Sequence, residues 1–166
     1  HYVFRKTKFE FVEIIQLPAA AAGATISSLE YNNNVLAVGS RNSNYVRPDG
    51  TASTNTAGAV FIFRNVEGRM RYQQNLYSVS AETANAGVPL VAGTQFGRRV
   101  MFVGTSLYVS APVYPEASGT LLNAGRGFLF KVIGYTKSTT FNCVDSTCYQ
   151  TFTDPTPVQN AQFGAF

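Results

Sequence analysis

The sequence has no tryptophan, one histidine and two cysteines among 166 residues, and charged residues make up only 13% of it. Each scarcity removes a class of chemistry. His1 is the only imidazole and sits at the chain end, so a nucleophile of the Ser–His or Cys–His kind lacks a base. Zinc takes four ligands, which one terminal histidine and two cysteines do not supply. Asp49, Glu82, Glu116 and Asp145 stand in loop-like stretches without a second acid at a fixed spacing, which gives paired-carboxylate chemistry no support. The chain therefore reads as non-enzymatic. Missing tryptophan also argues against a site that stacks sugars on indole rings. No apolar run reaches the ~18 residues of a membrane span. "LPAAAAGATI", residues 17–26, is short, internal and unlike a signal peptide. We therefore expect no membrane insertion.

Charge of one sign is not concentrated either. The net +4 comes from thirteen Lys and Arg against nine acids, with "RKTK" (5–8) and "GRR" (97–99) the densest clusters. Nucleic-acid binders gather such charge into a stripe or patch, so no nucleic-acid partner is expected. "GRGFLFKV" imitates an RNA-binding strand motif, but Leu129 stands where a small residue is required and Lys131 where valine is.

What the sequence does have is 45% hydrophobic residues, fourteen glycines and seven prolines. That balance points to one all-β domain of short strands and many turns, its surface covered by Asn, Thr, Ser, Gln and Tyr. Cys143 and Cys148, in "FNCVDSTCYQ", are spaced to face each other across a small hairpin. A structural disulfide would favour an oxidising, secreted or cell-surface location. Two unpaired thiols are the other reading.

The chain repeats itself. "GAVFIFR" (58–64) lies beside "GRGFLFK" (125–131), with Phe63 and Phe130 67 residues apart, and Phe96-Gly97 returns as Phe163-Gly164 at the same interval. A weaker copy upstream sets "LEYNNNVLAVGSR" (29–41) against "VMFVGTSLYVSAP" (100–112), pairing Leu29 with Val100, Leu36 with Leu107 and Val38 with Val109. In that copy Thr25-Ile26 replaces Phe-Gly, and Ser40-Arg41 replaces Ala111-Pro112. Alternation around Gly104-Thr105-Ser106 predicts a hairpin, and Asn32 to Asn34 supplies the equivalent turn. A second hairpin is predicted to turn at Glu67-Gly68. One repeat is thus four short strands, with a long polar loop between the second and third.

Four-stranded units at this period suit a β-propeller blade. The phrase built from Phe96-Gly97, Gly104, Leu107, Val109, Ala111-Pro112 and "GRGFLF" resembles the FG-GAP repeat of integrin α-subunit-like propellers. The resemblance implies that residues 1–16 are the last two strands of a preceding blade. Residues 25–78 and 95–153 would be two full blades, and 162–166 the start of a following one. It implies that Phe96 tucks between blades, that Gly97 turns beside it, that Ala111-Pro112 closes a strand and that Phe163-Gly164 opens the next blade. Rings close with roughly four to eight blades of about 60 residues, so the chain is expected to be an incomplete ring, a segment of a longer propeller or a subunit that oligomerises.

Some family members hold calcium in an acid-rich loop between the first two strands. The matching stretches here, Asn32 to Asn34 and Val103 to Ser106, have no acid, so no cofactor is expected in these blades, with calcium left to any others. The partners implied are other blades of the same propeller or neighbouring chains, a protein ligand, and less directly a glycan. Contact candidates on the long loops are Arg41, Tyr45, Arg47, Tyr114 and Glu116, because Tyr and Arg dominate binding hot spots. The expected role is extracellular adhesion or structural assembly. The alternatives are a propeller attached to an enzyme domain and a small glycan-binding oligomer.

Overall fold

The computed structural model describes residues 1–5, 8–18, 24–44, 56–77, 93–115, 122–131 and 149–165. Among the described residues ten strands make up the regular structure: β1 (Tyr2–Arg5), β2 (Lys8–Phe11), β3 (Ile26–Asn32), β4 (Val35–Ser40), β5 (Ala59–Val66), β6 (Arg69–Leu76), β7 (Val100–Val103), β8 (Ser106–Ala111), β9 (Arg126–Lys131) and β10 (Tyr149–Phe152). They pair as a β1–β2 hairpin and two four-stranded antiparallel sheets, β3-β4-β5-β6 and β7-β8-β9-β10. Among the described residues there is no helix. The four-strand repeat read from the sequence is thus present twice.

Turn chemistry sets the hairpins. Asn33 and Asn34 both take positive φ, at 46° and 65°, and so do Glu67 and Gly68, at 53° and 84°. Two-residue loops with both φ positive match the twist of the flanking strands. Gly104 alone is positive, at 60°, in the β7–β8 turn, where a leading glycine makes the other favoured two-residue loop.

The sheets stack face to face through one apolar cluster. Val35, Ala37, Val60, Ile62 and Leu76 of the first sheet meet Val100, Leu107, Val109, Phe128 and Phe130 of the second. Phe96, fully buried, fills the middle. Its ring stands edge-on to Phe128 at 5.3 Å and to Phe130 at 6.0 Å, arrangements that contribute about 0.5–1.5 kcal/mol each beyond burial. The opposite face of the first sheet carries Leu36, Val38, Phe61 and Phe63, covered by Ile15, Leu17 and Ala24. This covering segment is pinned at Glu13, whose carboxylate accepts the Met70 amide of edge strand β6 at 2.6 Å and whose carbonyl accepts the N-terminal ammonium at 2.8 Å.

Backbone bonds repeat along with the side chains. Gly58 pairs in parallel with Phe96, and Gly125 with Phe163. The Phe96 amide donates to Ala57, and the Phe163 amide donates to Ala124, both at 3.0 Å. At the base of each long loop, Gly58 donates to Ser43 at 3.0 Å and Gly125 to Tyr114 at 2.9 Å.

Candidate functional site at the seam between the sheets

The turn that leads into β7 is pressed against the first sheet. Gly97, at φ +83°, comes so close that a Cβ there would sit 2.5 Å from the Ala59 carbonyl oxygen. Its amide donates to Ser110 at 3.0 Å. Its own carbonyl accepts from the Ser27 hydroxyl at 2.8 Å and the Ser28 hydroxyl at 3.2 Å, which ties the turn to β3. No side chain larger than hydrogen fits this junction, so the glycine sets how tightly the sheets meet.

Just outside that junction lies a hollow of about 340 Å³, lined by Thr25, Ile26, Ser27, Arg41, Arg98 and Arg99. Three elements build it: the start of β3, the turn after β4 and the turn before β7. Asn42 braces the first two, its Oδ1 accepting the Thr25 amide at 2.8 Å and its Nδ2 donating to Thr25 Oγ1 at 3.2 Å. Arg98 is steadied by donating to Gln95 Oε1 at 2.9 Å, and the Arg99 amide donates to Ser110 Oγ at 3.1 Å. Arg41 and Arg99 are exposed and Arg98 half-buried. None of the lining residues is acidic, and among the described residues no carboxylate pairs with any of the three guanidinium groups. The arrangement concentrates hydrogen-bond donors and positive charge at one seam.

The sequence-predicted site residues are scattered by this geometry. Of the five contact candidates, Arg41 lines the hollow. Tyr114 does not face solvent: it is 8% exposed, edge-on to Phe128 at 5.8 Å, with the Arg126 guanidinium 4.4 Å above its ring. Burial pushes its phenol pKa up, and Arg126 opposes that rise. The expectation of Tyr114 as an open contact residue is therefore corrected. The loop turns it back into the sheet, because the apolar wall of Phe128 and the cation of Arg126 together suit an aromatic ring. Tyr45, Arg47 and Glu116 lie outside the described residues, as do Cys143 and Cys148 and so the expectation of a disulfide between them.

Among the motif residues, Ala111 and Pro112 are buried at the end of β8, and Gly104 is exposed in its turn. Phe163 is half-buried and Gly164 buried, beside Tyr108 of the second sheet. Arg98 and Arg99 were legible only as a charge cluster. Nothing local in the sequence joins them to Arg41 more than fifty residues earlier. Compared with known proteins, the chain matches no protein-family model and no curated protein.

Proposed function

We propose that the two sheets are consecutive blades of a β-propeller of the FG-GAP kind. In this reading the chain serves, without catalysis, in protein–protein adhesion or in the assembly of a cell-surface or secreted structure. One observation carries it: the seating of a Phe-Gly turn on the glycine that leads into the third strand of the sheet before it occurs twice in the same register, Phe96 on Gly58 and Phe163 on Gly125. A sheet that receives the next one through a fixed, repeated contact generates a ring or a stack by repetition. The face of the second sheet beside Phe163 still carries Met101 and Val103, 52% and 50% exposed, which suits coverage by a further sheet of the same chain or a neighbouring one. The short Cys143–Cys148 spacing favours an extracellular setting.

Electron microscopy of the protein as it occurs in its source tests the reading. Class averages should show sheets arranged radially about an axis. A two-sheet particle with the Met101 face open to solvent would sink it.

A further inference from the structure

The hollow at the seam consists of departures from the repeat. Where the second copy has the buried pair Ala111-Pro112, the first has Ser40 and the exposed Arg41, and where the second has Phe96-Gly97 the first has Thr25-Ile26. In the sequence Phe163-Gly164 is followed by Ala165-Phe166, where Phe96-Gly97 is followed by Arg98-Arg99. The three arginines thus converge at one seam, and the repeat does not demand them there. Like charges gathered without a counter-charge repel one another, a cost that a bound anion removes. Guanidinium is moreover the group best shaped to hold an oxyanion with two parallel bonds.

Hydroxyl bonding narrows the class of anion. Thr25 Oγ1 accepts from Asn42, which leaves its own O–H to donate. Ser27 Oγ has committed its proton to the Gly97 and Gly39 carbonyls, so toward the hollow it accepts. A bare inorganic anion uses donors only, whereas a ligand bearing both an acid group and hydroxyls uses the whole wall. The volume is also in the range of small-ligand pockets, roughly 300–1,000 Å³, and larger than a lone oxyanion needs. Ile26, 56% exposed, offers the apolar patch on which a sugar ring can rest.

We propose that this hollow binds an anionic saccharide, with its sulfate ester or carboxylate held by Arg41, Arg98 and Arg99, and one ring hydroxyl donating to Ser27. The site belongs to the seam between two sheets as they stand and does not depend on how many sheets complete the assembly. Without a tryptophan platform its affinity rests on charge, so it falls with salt.

The test is calorimetry of the full chain with four probes: sulfated dextran oligosaccharide, oligogalacturonate, uncharged dextran oligosaccharide and a polyglutamate peptide. Sulfated dextran and oligogalacturonate separate sulfate from carboxylate as the preferred acid; at least one should bind, and uncharged dextran should not. Arg41→Gln with Arg99→Gln should weaken binding about tenfold or more, and Arg41→Lys with Arg99→Lys about fivefold, since charge remains but the planar fork is lost. Arg69→Gln with Arg71→Gln removes the same charge from exposed positions on β6, three strands from β3, and should change affinity less than about twofold. Unchanged urea midpoints would certify the folded state of each variant. The proposal is overturned if uncharged dextran binds equally, if the β6 pair weakens binding as much as the seam pairs, if polyglutamate binds at least as tightly as either acidic saccharide, or if neither acidic saccharide binds.

Discussion

In the first sheet β4 runs Val35-Leu36-Ala37-Val38 and is buried on both faces, whereas in the second β8 alternates Leu107 and Val109 with Ser106 and Tyr108, which stay half-exposed. The two strands occupy the same place in the same order of pairing. What differs is their cover. β4 lies between the second sheet and the segment around Ile15 and Leu17, while β8, among the described residues, has a neighbouring sheet on one side only. A continuous apolar run and an alternating one are the sequence signatures of those two situations. The comparison separates pairing within a sheet, which both copies share, from packing between sheets, which distinguishes them.

The sharpest way to break that distinction is at the shared core. Phe96→Ala should lose about 3–5 kcal/mol of stability, because it empties the space between both sheets. Phe163→Ala, at the half-buried equivalent, should lose within about 1 kcal/mol. Urea unfolding of the two variants measures the difference, and equal losses would mean that the far side of the second sheet is as closely packed as the seam. Next in size is Gly97→Ala, which meets both an unfavourable backbone angle and the Ala59 carbonyl and should cost about 2–4 kcal/mol. Gly104→Ala, with open space around it, should cost only the backbone term, about 1–2 kcal/mol. A polar probe sharpens the contrast between faces: Ala37→Asn buries an amide in the apolar seam and should cost roughly 2–3 kcal/mol. Ser106→Asn should be within about 0.5 kcal/mol of wild type in the same unfolding series.

The smallest expected effect is electrostatic. Tyr72 on the edge strand β6 has its pKa raised from 10.0 to about 12, mainly by burial, with the nearby Tyr77 adding to it. The folded chain thus favours the neutral phenol. Its contribution is present in full below the ordinary phenol pKa near 10, drains as pH rises toward about 12 and is gone above that. Following phenolate absorbance alongside unfolding midpoints should show a shallow alkaline loss that Tyr72→Phe abolishes. The loss is small because the side chain is partly exposed.

Local features were legible in advance because they are written in neighbouring residues. The alternation around Gly104, the turns at Asn33-Asn34 and Glu67-Gly68, and the interval linking Phe63 to Phe130 each follow from residues close in sequence or from direct repetition. Contacts between sheets were not. Tyr114 reads as a loop residue until Arg126 and Phe128 are seen to close on it. The hollow joins Arg41 to Arg98 and Arg99, a juxtaposition that only the stacking of two sheets creates.

The bonds at the loop bases carry a consequence for how the scaffold tolerates change. Fourteen residues lie between Ser43 and Gly58, and ten between Tyr114 and Gly125, yet both pairs are joined by the same backbone bond and the strands beyond keep their register. The difference of four residues is absorbed entirely above the clamp. Foreign peptides grafted between those anchor points would be displayed on a frame indifferent to their length, much as a socket accepts tools of different reach. Diversification of this protein should accordingly accumulate as insertions and deletions there, while the strands beneath change by substitution alone.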